Sequence, residues 1–127
     1  MKLSEYFANI SGTGVLSTAD AVGKVDAAIY ARPHFIDENT IAFIMADKVT
    51  HTNLQTNGSA VYLFKEQNSY EGRRLYLTKI REEKNAPLID EIRRRKSAAE
   101  EVSGKTGSKF LVCFKIDKVR PLIGDDN

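Results

Sequence analysis

The stretch covering residues 40–66 constrains the fold of this chain more than any other. Its two apolar runs, residues 41–45 and 60–64, are rich in the β-branched and aromatic side chains that suit buried strands. A polar segment containing hydroxyl, ammonium and imidazole groups separates the two runs. We therefore expect a strand, a short helix and a second strand in immediate succession.

The polar segment between these strands is suited to binding a phosphate group. Thr50 is expected to cap a short helix, whose first turn leaves about four backbone N–H groups unpaired and carries a partial positive charge. Lys48, His51 and Thr52 add a cation, an imidazole and a second hydroxyl at the same place. A helix start with these properties favours a bound phosphate.

The composition indicates one ordinary globular domain that spans residues 1–127. Hydrophobic residues make up 42% of the chain and charged residues 28%, which indicates an ordinary soluble protein rather than a disordered one. The formal net charge of +2 is too small to favour nucleic acid as a partner. No apolar run approaches the ~20 residues of a membrane helix, and the N-terminus lacks the layout of a signal peptide. We therefore expect a cytoplasmic protein without a membrane partner.

The side chains that commonly bind metals are few and widely separated. Cys113 is the only cysteine, so the sequence predicts neither an intrachain disulfide nor a cysteine metal cluster. The two histidines, His34 and His51, do not have metal-ligand spacing. Cys113 lies in an apolar run near the C-terminus, which favours a packed, unreactive thiol.

The rest of the chain also divides into short elements. The predicted elements outside the central stretch are a helix over residues 4–10, strands over 15–18, 25–31, 73–79 and 109–117, and a longer helix from residue 87 to Gly104. Ser4 is expected to cap the first helix, and Gly12 and Gly14 are expected to end it. Six strand candidates with short helices and one longer helix describe a mainly β (α+β) protein built as a small barrel.

Alternation in the strand over residues 73–79 predicts which side chains face the core. Leu75 and Leu77 fall on one face, whereas Arg74, Tyr76 and Thr78 fall on the other. The apolar face is expected to be buried.

The order of these elements resembles the pyridoxamine 5'-phosphate oxidase-like family of FMN-binding split barrels. The resemblance runs from Gly14 to Lys79 through the segments GVLSTAD, VDAAIYARPHF, TIAFIMAD and THTNLQTNGSAVYLF. Its strongest part is the Asn53-Leu54-x-x-Asn57 element followed directly by a strand. The resemblance implies a six-stranded antiparallel split β-barrel that binds FMN, usually as a homodimer.

The resemblance also implies which residues lie beside the flavin. These are Ala28, Ile29, Tyr30, Ala31 and Arg32 along the ring, and Lys48, Thr50, His51, Thr52, Asn53 and Arg74 around the phosphate. Family members commonly carry basic residues where this chain has Thr50 and Thr52. Lys48, His51, the two hydroxyls and the helix-start amides are then expected to hold the phosphate instead. Arg74 is expected to contribute from the partner subunit.

Several of these residues also have a purely structural interpretation. His51 in a polar turn is consistent with a capping residue as well as an anion ligand, and His34 fits a strand bend. Arg32 is equally consistent with a cofactor contact and with a carboxylate pair. The basic run at residues 93–96 has no interleaved aromatics, which favours a solvated helix face over a nucleic-acid site.

The sequence therefore predicts a small FMN-dependent oxidoreductase or electron carrier of unspecified substrate, in which no catalytic side chain is assigned. The alternative is a non-enzymatic barrel that has lost the flavin and binds a ligand, protein or nucleic acid. The threonines at positions 50 and 52 are its main support.

Overall fold

A computed structural model describes residues 2–94 and 109–125, with the backbone alone at residues 93 and 94. Its elements in chain order are α1 (Leu3–Asn9), β1 (Gly12–Ala19), β2 (Val25–Tyr30), β3 (His34–Asp37), β4 (Thr40–Ala46), α2 (Val49–Thr56), β5 (Ser59–Glu66), β6 (Gly72–Lys84), α3 (Pro87–Arg94) and β7 (Lys109–Pro121). The mainly β class with few helices is confirmed.

The strands form one antiparallel sheet in the order β2-β1-β5-β6-β7-β4-β3. This sheet has seven strands in its described part, one more than predicted. The additional strand is β3, whose four residues pair with β4 from His34↔Ala42 to Asp37↔Thr40. A strand this short, lying between Pro33 and a polar turn, has too few alternating positions to be recognised from sequence.

The sheet curves so that its two ends meet around an aromatic core. Tyr30 of β2 and Phe43 of β4 stand near opposite ends of the strand order, yet their ring centroids are 5.8 Å apart. Phe43 also contacts Tyr62 at 5.0 Å and Phe114 at 5.9 Å. Tyr62 and Phe114 are fully buried. These contacts close the sheet into a barrel.

The helices cover the barrel in three different places. α1 inserts Phe7 beside Tyr62 and Phe64, with ring centroids at 6.2 Å and 5.1 Å. α2 buries Leu54 in the same core. α3 lies outside the barrel, where Ile89 packs in a second apolar cluster with residues of β4 and β7.

The predicted boundaries near the N-terminus are partly wrong. Ser4 lies inside α1 rather than capping it, because the helix begins at Leu3 with Lys2 at the capping position. Gly12 and Gly14 do not form a break but open strand β1, which pairs with β5 along its length.

The predicted strand faces in β6 are confirmed. Leu75 and Leu77 are buried, whereas Arg74, Tyr76 and Thr78 are more exposed. Both β6 and β7 extend beyond the predicted limits, to 13 residues each. The longer helix predicted up to Gly104 begins at Pro87, and its part beyond Arg94 lies outside the described residues.

Cys113 is buried in the cluster under α3. The packed position predicted for it is confirmed, and burial raises the pKa of its thiol above the ordinary value. The side chains of the basic run at residues 93–96 lie outside the described part of the chain. Over residues 2–94 and 109–125, no helix combines the length and apolar character needed to cross a membrane.

A group of polar contacts fastens α2 to strand β6. Glu82 accepts hydrogen bonds from Lys79 Nζ at 2.7 Å and from Gln55 Nε2 at 3.0 Å, and His51 Nε2 lies 3.1 Å from its other oxygen. Lys79 Nζ also reaches the carbonyl of Leu54 at 3.4 Å, near the end of the helix. A β-bulge between Lys79 and Arg81 accompanies this arrangement.

Gly14 leaves the space that Tyr62 occupies, and we expect Gly14→Ala to destabilise the fold. A Cβ atom at position 14 would clash with the hydroxyl and ring of Tyr62, which is fully buried and cannot move aside. Overpacking of this kind costs about 1–3 kcal/mol. Urea denaturation would measure the loss, with Gly58→Ala as the matched control because its nearest neighbour would lie 3.5 Å away. Equal effects of the two substitutions would contradict this account.

The contacts of Glu82 predict a dependence of stability on acid pH. Burial alone would raise the pKa of Glu82, but hydrogen bonds from Gln55, Lys79 and His51 lower it to about 2 from an ordinary value of 4.5. A carboxyl group with a lowered folded-state pKa stabilises the fold above its ordinary pKa and loses that contribution as pH falls towards the lower value.

We therefore expect the melting temperature of the wild-type chain to exceed that of Glu82→Gln near pH 7, with the difference shrinking between pH 5 and about pH 2. Circular dichroism melts across this range would measure it. The control is Glu83→Gln, since Glu83 is half-exposed and pairs with Arg81 on the surface. A difference for Glu82→Gln that does not change with pH would show that the charge of Glu82 is not involved.

Candidate functional site

The start of α2 lies beside the end of strand β2, where the sequence predicts the flavin site. Tyr30 is the last residue of β2, and its phenol interacts with the side chain of Thr50 in the first turn of α2. Burial raises the pKa of Tyr30, although the interaction with Thr50 opposes the rise. Tyr30 is therefore a neutral phenol at physiological pH. The segment containing Ala28 and the helix start thus form one corner of the molecule.

The helix start differs from the prediction by one residue. Thr50 is not the N-cap: α2 begins at Val49, and Lys48 occupies the capping position without a side-chain capping bond. The first intrahelical bond of α2 runs from the N–H of Thr52 to the carbonyl of Lys48 at 2.9 Å. The N–H groups of Val49, Thr50 and His51 precede that bond, so they have no partner within the helix. Three donors are therefore available for an anion.

His51 is a structural residue in this arrangement rather than an exposed ligand. Its Nδ1 atom lies 3.0 Å from Asp47 and its Nε2 atom 3.1 Å from Glu82, on opposite sides of the ring. The ring stacks on Phe110, with a centroid distance of 3.8 Å and an interplanar angle of 18°. Both ring nitrogens are thus engaged. The sequence did not indicate this role, because Glu82 and Phe110 are distant along the chain.

The polar residues of α2 divide into an inner and an outer set. Thr50 and Asn53 face inward and are buried, and Asn53 Nδ2 donates to the hydroxyl of Thr18 at 3.0 Å. Lys48 and Thr52 are exposed. Lys48 and Thr52 are therefore the side chains of the predicted phosphate site at α2 that are accessible to solvent or a ligand.

Two arginines predicted near the cofactor hold backbone carbonyls of this chain. Arg32 Nη1 donates to the carbonyls of Phe7 at 3.1 Å and Ile10 at 2.8 Å, which fixes the end of α1. The carboxylate pairing considered for Arg32 is therefore not its main contact. Arg74 donates to the carbonyls of Pro121 and Gly124 and so clamps the C-terminal tail.

Tyr62 fixes the backbone at the end of β2, a contact that sequence reasoning missed. Its Oη atom lies 3.2 Å from the carbonyl of Tyr30 and 3.0 Å from that of Ala31, and it can donate to one of them at a time. Burial raises the pKa of Tyr62, so the hydroxyl keeps its proton. In sequence, Tyr62 is indistinguishable from any other aromatic residue in an apolar strand.

The outer face of β2 is unusually apolar for an exposed surface. Val25 is 78% exposed and Ile29 is 70% exposed. Ile29 is paired with Val15 across β1, and Val15 is paired in turn with Leu63 of β5. These side chains form one apolar surface across three strands, which we call the β2 face. Exposed apolar patches of this kind commonly mark contact sites.

No protein-family model and no curated protein matches the chain. Solved structures do match it over almost its whole length. An FMN-binding protein from Syntrophomonas wolfei subsp. wolfei is 23% identical, with a TM-score of 0.77, and the match covers 97% of this chain and 85% of that one.

Two further structures have the same fold at lower identity. A protein of the pyridoxinephosphate oxidase family from Clostridium acetobutylicum, related to general stress protein 26, is 14% identical, with a TM-score of 0.63 and coverage of 93% and 84%. HutZ, described as the heme storage protein of Vibrio cholerae, is also 14% identical, with a TM-score of 0.67 and coverage of 92% and 89%. The chain therefore has the fold of the pyridoxamine 5'-phosphate oxidase-like split barrels, as its sequence pattern predicted.

Proposed function

We propose that this chain binds FMN at the corner between α2 and β2 and acts as a small flavin-dependent oxidoreductase or electron carrier. The observation that carries the proposal is the position of three helix-start amides beside the end of an exposed strand. The similarity in fold to an FMN-binding protein supports it.

The helix start has the chemistry needed for a phosphate monoester. The N–H groups of Val49, Thr50 and His51 supply donors and the positive end of the helix dipole. Lys48 adds an exposed ammonium group, and Thr52 adds an exposed hydroxyl. The carboxylate of Asp47 is 68% exposed and opposes anion binding, although it is hydrogen-bonded to His51. The N–H groups, the ammonium group and the hydroxyl together outnumber this one carboxylate, so the site still favours a phosphate.

The end of β2 has the features needed beside a planar ring. Ala28 and Ala31 have small side chains, and the apolar Ile29 is exposed. Tyr62 holds this backbone in place through its hydroxyl, and the neutral phenol of Tyr30 fills the corner against Thr50. When bound, FMN supplies the electron and hydride transfer chemistry itself. The protein then has to position the ring and keep water from it.

Association of two copies through the β2 face would complete this environment. Covering an exposed valine or isoleucine side chain contributes about 1.5–3 kcal/mol each, so hiding Val25 and Ile29 is favourable. Arg74 is paired with Leu63 in the sheet, at the margin of this surface. To bind the phosphate of the partner's flavin in such a dimer, Arg74 would have to leave the carbonyls of Pro121 and Gly124.

A visible spectrum of the purified protein, before and after addition of FMN, tests the cofactor assignment. We expect flavin absorbance that stays with the protein through gel filtration, together with a saturable change in flavin fluorescence on titration. A colourless protein that takes up no FMN would instead support a non-enzymatic binding module.

Hemin provides an informative second ligand, because one structure of the same fold is described as a heme storage protein. Both ring nitrogens of His51 are engaged with carboxylates. We therefore expect hemin to compete weakly or not at all with FMN. A sharp heme spectrum that excludes FMN would overturn the flavin assignment.

The phosphate contact predicts the effect of reversing the charge at the helix start. Thr50 is unsuitable for this test, since it is buried and a charge there would damage the fold. Lys48→Glu changes an exposed side chain and should weaken FMN affinity by about five- to tenfold, because it places a negative charge beside the phosphate. Fluorescence titration would measure the change.

The matched control is Lys24→Glu, which makes the same charge change on the exposed β1–β2 turn, at the opposite end of β2 from Tyr30. Riboflavin, which lacks the phosphate, should bind wild type and Lys48→Glu equally. Equal loss of FMN affinity in both lysine variants would argue against a phosphate at the start of α2.

The β2 face predicts the effect of an added charge on association. Ile29→Lys places an ammonium group in the centre of the apolar surface and should shift the protein to monomers, as measured by sedimentation velocity. Ile80→Lys is the control, because Ile80 is 51% exposed and lies on β6 beside the bulge. A dimer that survives Ile29→Lys must use a different surface.

A further inference from the structure

A cavity of about 390 Å³ opens on the outer surface of the sheet, away from the helix start. Its floor and walls come from β1, β5, β6 and β7, together with Val25 at the start of β2 and Asn57, the C-cap of α2. Volumes between about 300 and 1,000 Å³ are typical of pockets for small molecules. Because α2 has eight residues, its two ends are about 12 Å apart, so this cavity is separate from the proposed flavin site.

Strand register brings hydroxyl groups together on one side of this cavity. Ser17 is paired with Val61, and Val61 is paired with Tyr76, so these three residues form one row across adjacent strands. Ser59 and Thr78 form a neighbouring row. Within residues 2–94 and 109–125, the hydroxyls of Ser17, Ser59 and Tyr76 make no hydrogen bond to another residue. These groups are therefore able to bond a ligand.

A single carboxylate completes the polar side of the cavity. Asp117 accepts a hydrogen bond from Thr78 Oγ1 at 2.5 Å, and Lys115 Nζ lies 3.4 Å from its other oxygen. The bond from Thr78 lowers the pKa of Asp117, so the side chain is ionised at neutral pH. Among the described residues that line the cavity, Asp117 is the one that carries charge.

Apolar groups lie among these hydroxyls and suit a carbon skeleton. Val61 and the ring of Tyr76 present apolar surface to the cavity, and the guanidinium of Arg120 lies 5.5 Å from the centre of the Tyr76 ring. Val25 also lines the cavity, at the border with the β2 face. The cavity therefore combines an apolar wall, several hydroxyl groups and one negative charge. Asp117 is already paired with Lys115, which does not line the cavity, so the ammonium group of a ligand would share or replace that partner, whereas a phosphate or carboxylate would meet the carboxylate itself.

We infer that this cavity is a second binding site, which takes a small polyhydroxylated molecule bearing an amine. The hydroxyls of Ser17, Ser59 and Tyr76 bond the ligand's hydroxyl groups, Asp117 pairs with its ammonium group, and its carbon chain lies on Val61.

Three six-carbon polyols that differ in the charge of one end group test this inference. Glucamine is cationic, sorbitol is neutral and gluconate is anionic at neutral pH. Titrations followed by ¹H–¹⁵N NMR should give saturable shifts at the amides around the cavity. Glucamine should bind best, sorbitol more weakly, and gluconate about tenfold or more weaker than glucamine. The amides of Val49 and Thr50 at the start of α2 should not move.

Asp117→Asn should lower the affinity for glucamine about tenfold and leave that for sorbitol nearly unchanged. The control is Asp90→Asn, which removes the same charge from the exposed surface of α3. Ser59→Leu fills part of the cavity and should abolish binding of all three polyols. The NMR spectrum of each variant also reports whether it remains folded.

The inference fails if glucamine gives no saturable shifts around the cavity, or if gluconate binds as well as glucamine. It also fails if Asp117→Asn and Asp90→Asn have equal effects, or if Ser59→Leu is folded and still binds the polyols. None of these outcomes depends on whether the protein binds FMN, since the two sites are probed by different ligands.

Discussion

The contact between Tyr62 and the end of β2 is the constraint on which the rest of this structure depends. Tyr62 crosses the barrel interior from β5, packs against Phe43 and places its hydroxyl beside the carbonyls of Tyr30 and Ala31. The absence of a side chain at Gly14 makes room for that hydroxyl. One buried phenol therefore links the centre of the sheet to its edge strand and sets the backbone against which a ring would lie.

The distribution of charge at the start of α2 follows from the side-chain contacts that hold the helix in place. His51, which sequence alone allows as an anion ligand, lies between two carboxylates and stacks on Phe110, so it stabilises the helix from the inside. Thr50 is uncharged and interacts with the phenol of Tyr30. Positive charge at the corner then comes from the helix dipole and from Lys48. An anion bound at this corner, as proposed, would be held mainly by backbone donors, whose positions are fixed by the barrel.

The curvature of the sheet separates two kinds of surface. Its inner face is filled by aromatic side chains, with Tyr62, Phe64 and Phe114 fully buried. Its outer face carries the apolar β2 face and the hydroxyl-lined cavity near Asp117, which adjoin at Val25. Because alternate residues of one strand point to opposite faces, the same strands β1 and β5 contribute to the core and to both outer surfaces. Function on the outside thus places few demands on the packing inside.

The sequence by itself determined the local structure of this protein. Apolar runs on both sides of residues 47–57 predicted the strand, helix and strand, and alternation predicted the buried face of β6, because these signals depend on neighbours within a few residues. The short strand β3 lacked enough positions for such a signal. The order of elements also predicted the barrel and the corner where a phosphate is expected.

Only the tertiary structure decided what the polar side chains at that corner do. His51 meets Glu82, 31 residues away, Arg32 meets the carbonyl of Phe7, 25 residues away, and Tyr62 meets Tyr30, 32 residues away. The partner of a polar group depends on which strands become neighbours when the sheet closes, and no local pattern contains that information. The fold therefore decides which polar side chains bond to one another and which remain accessible to a ligand.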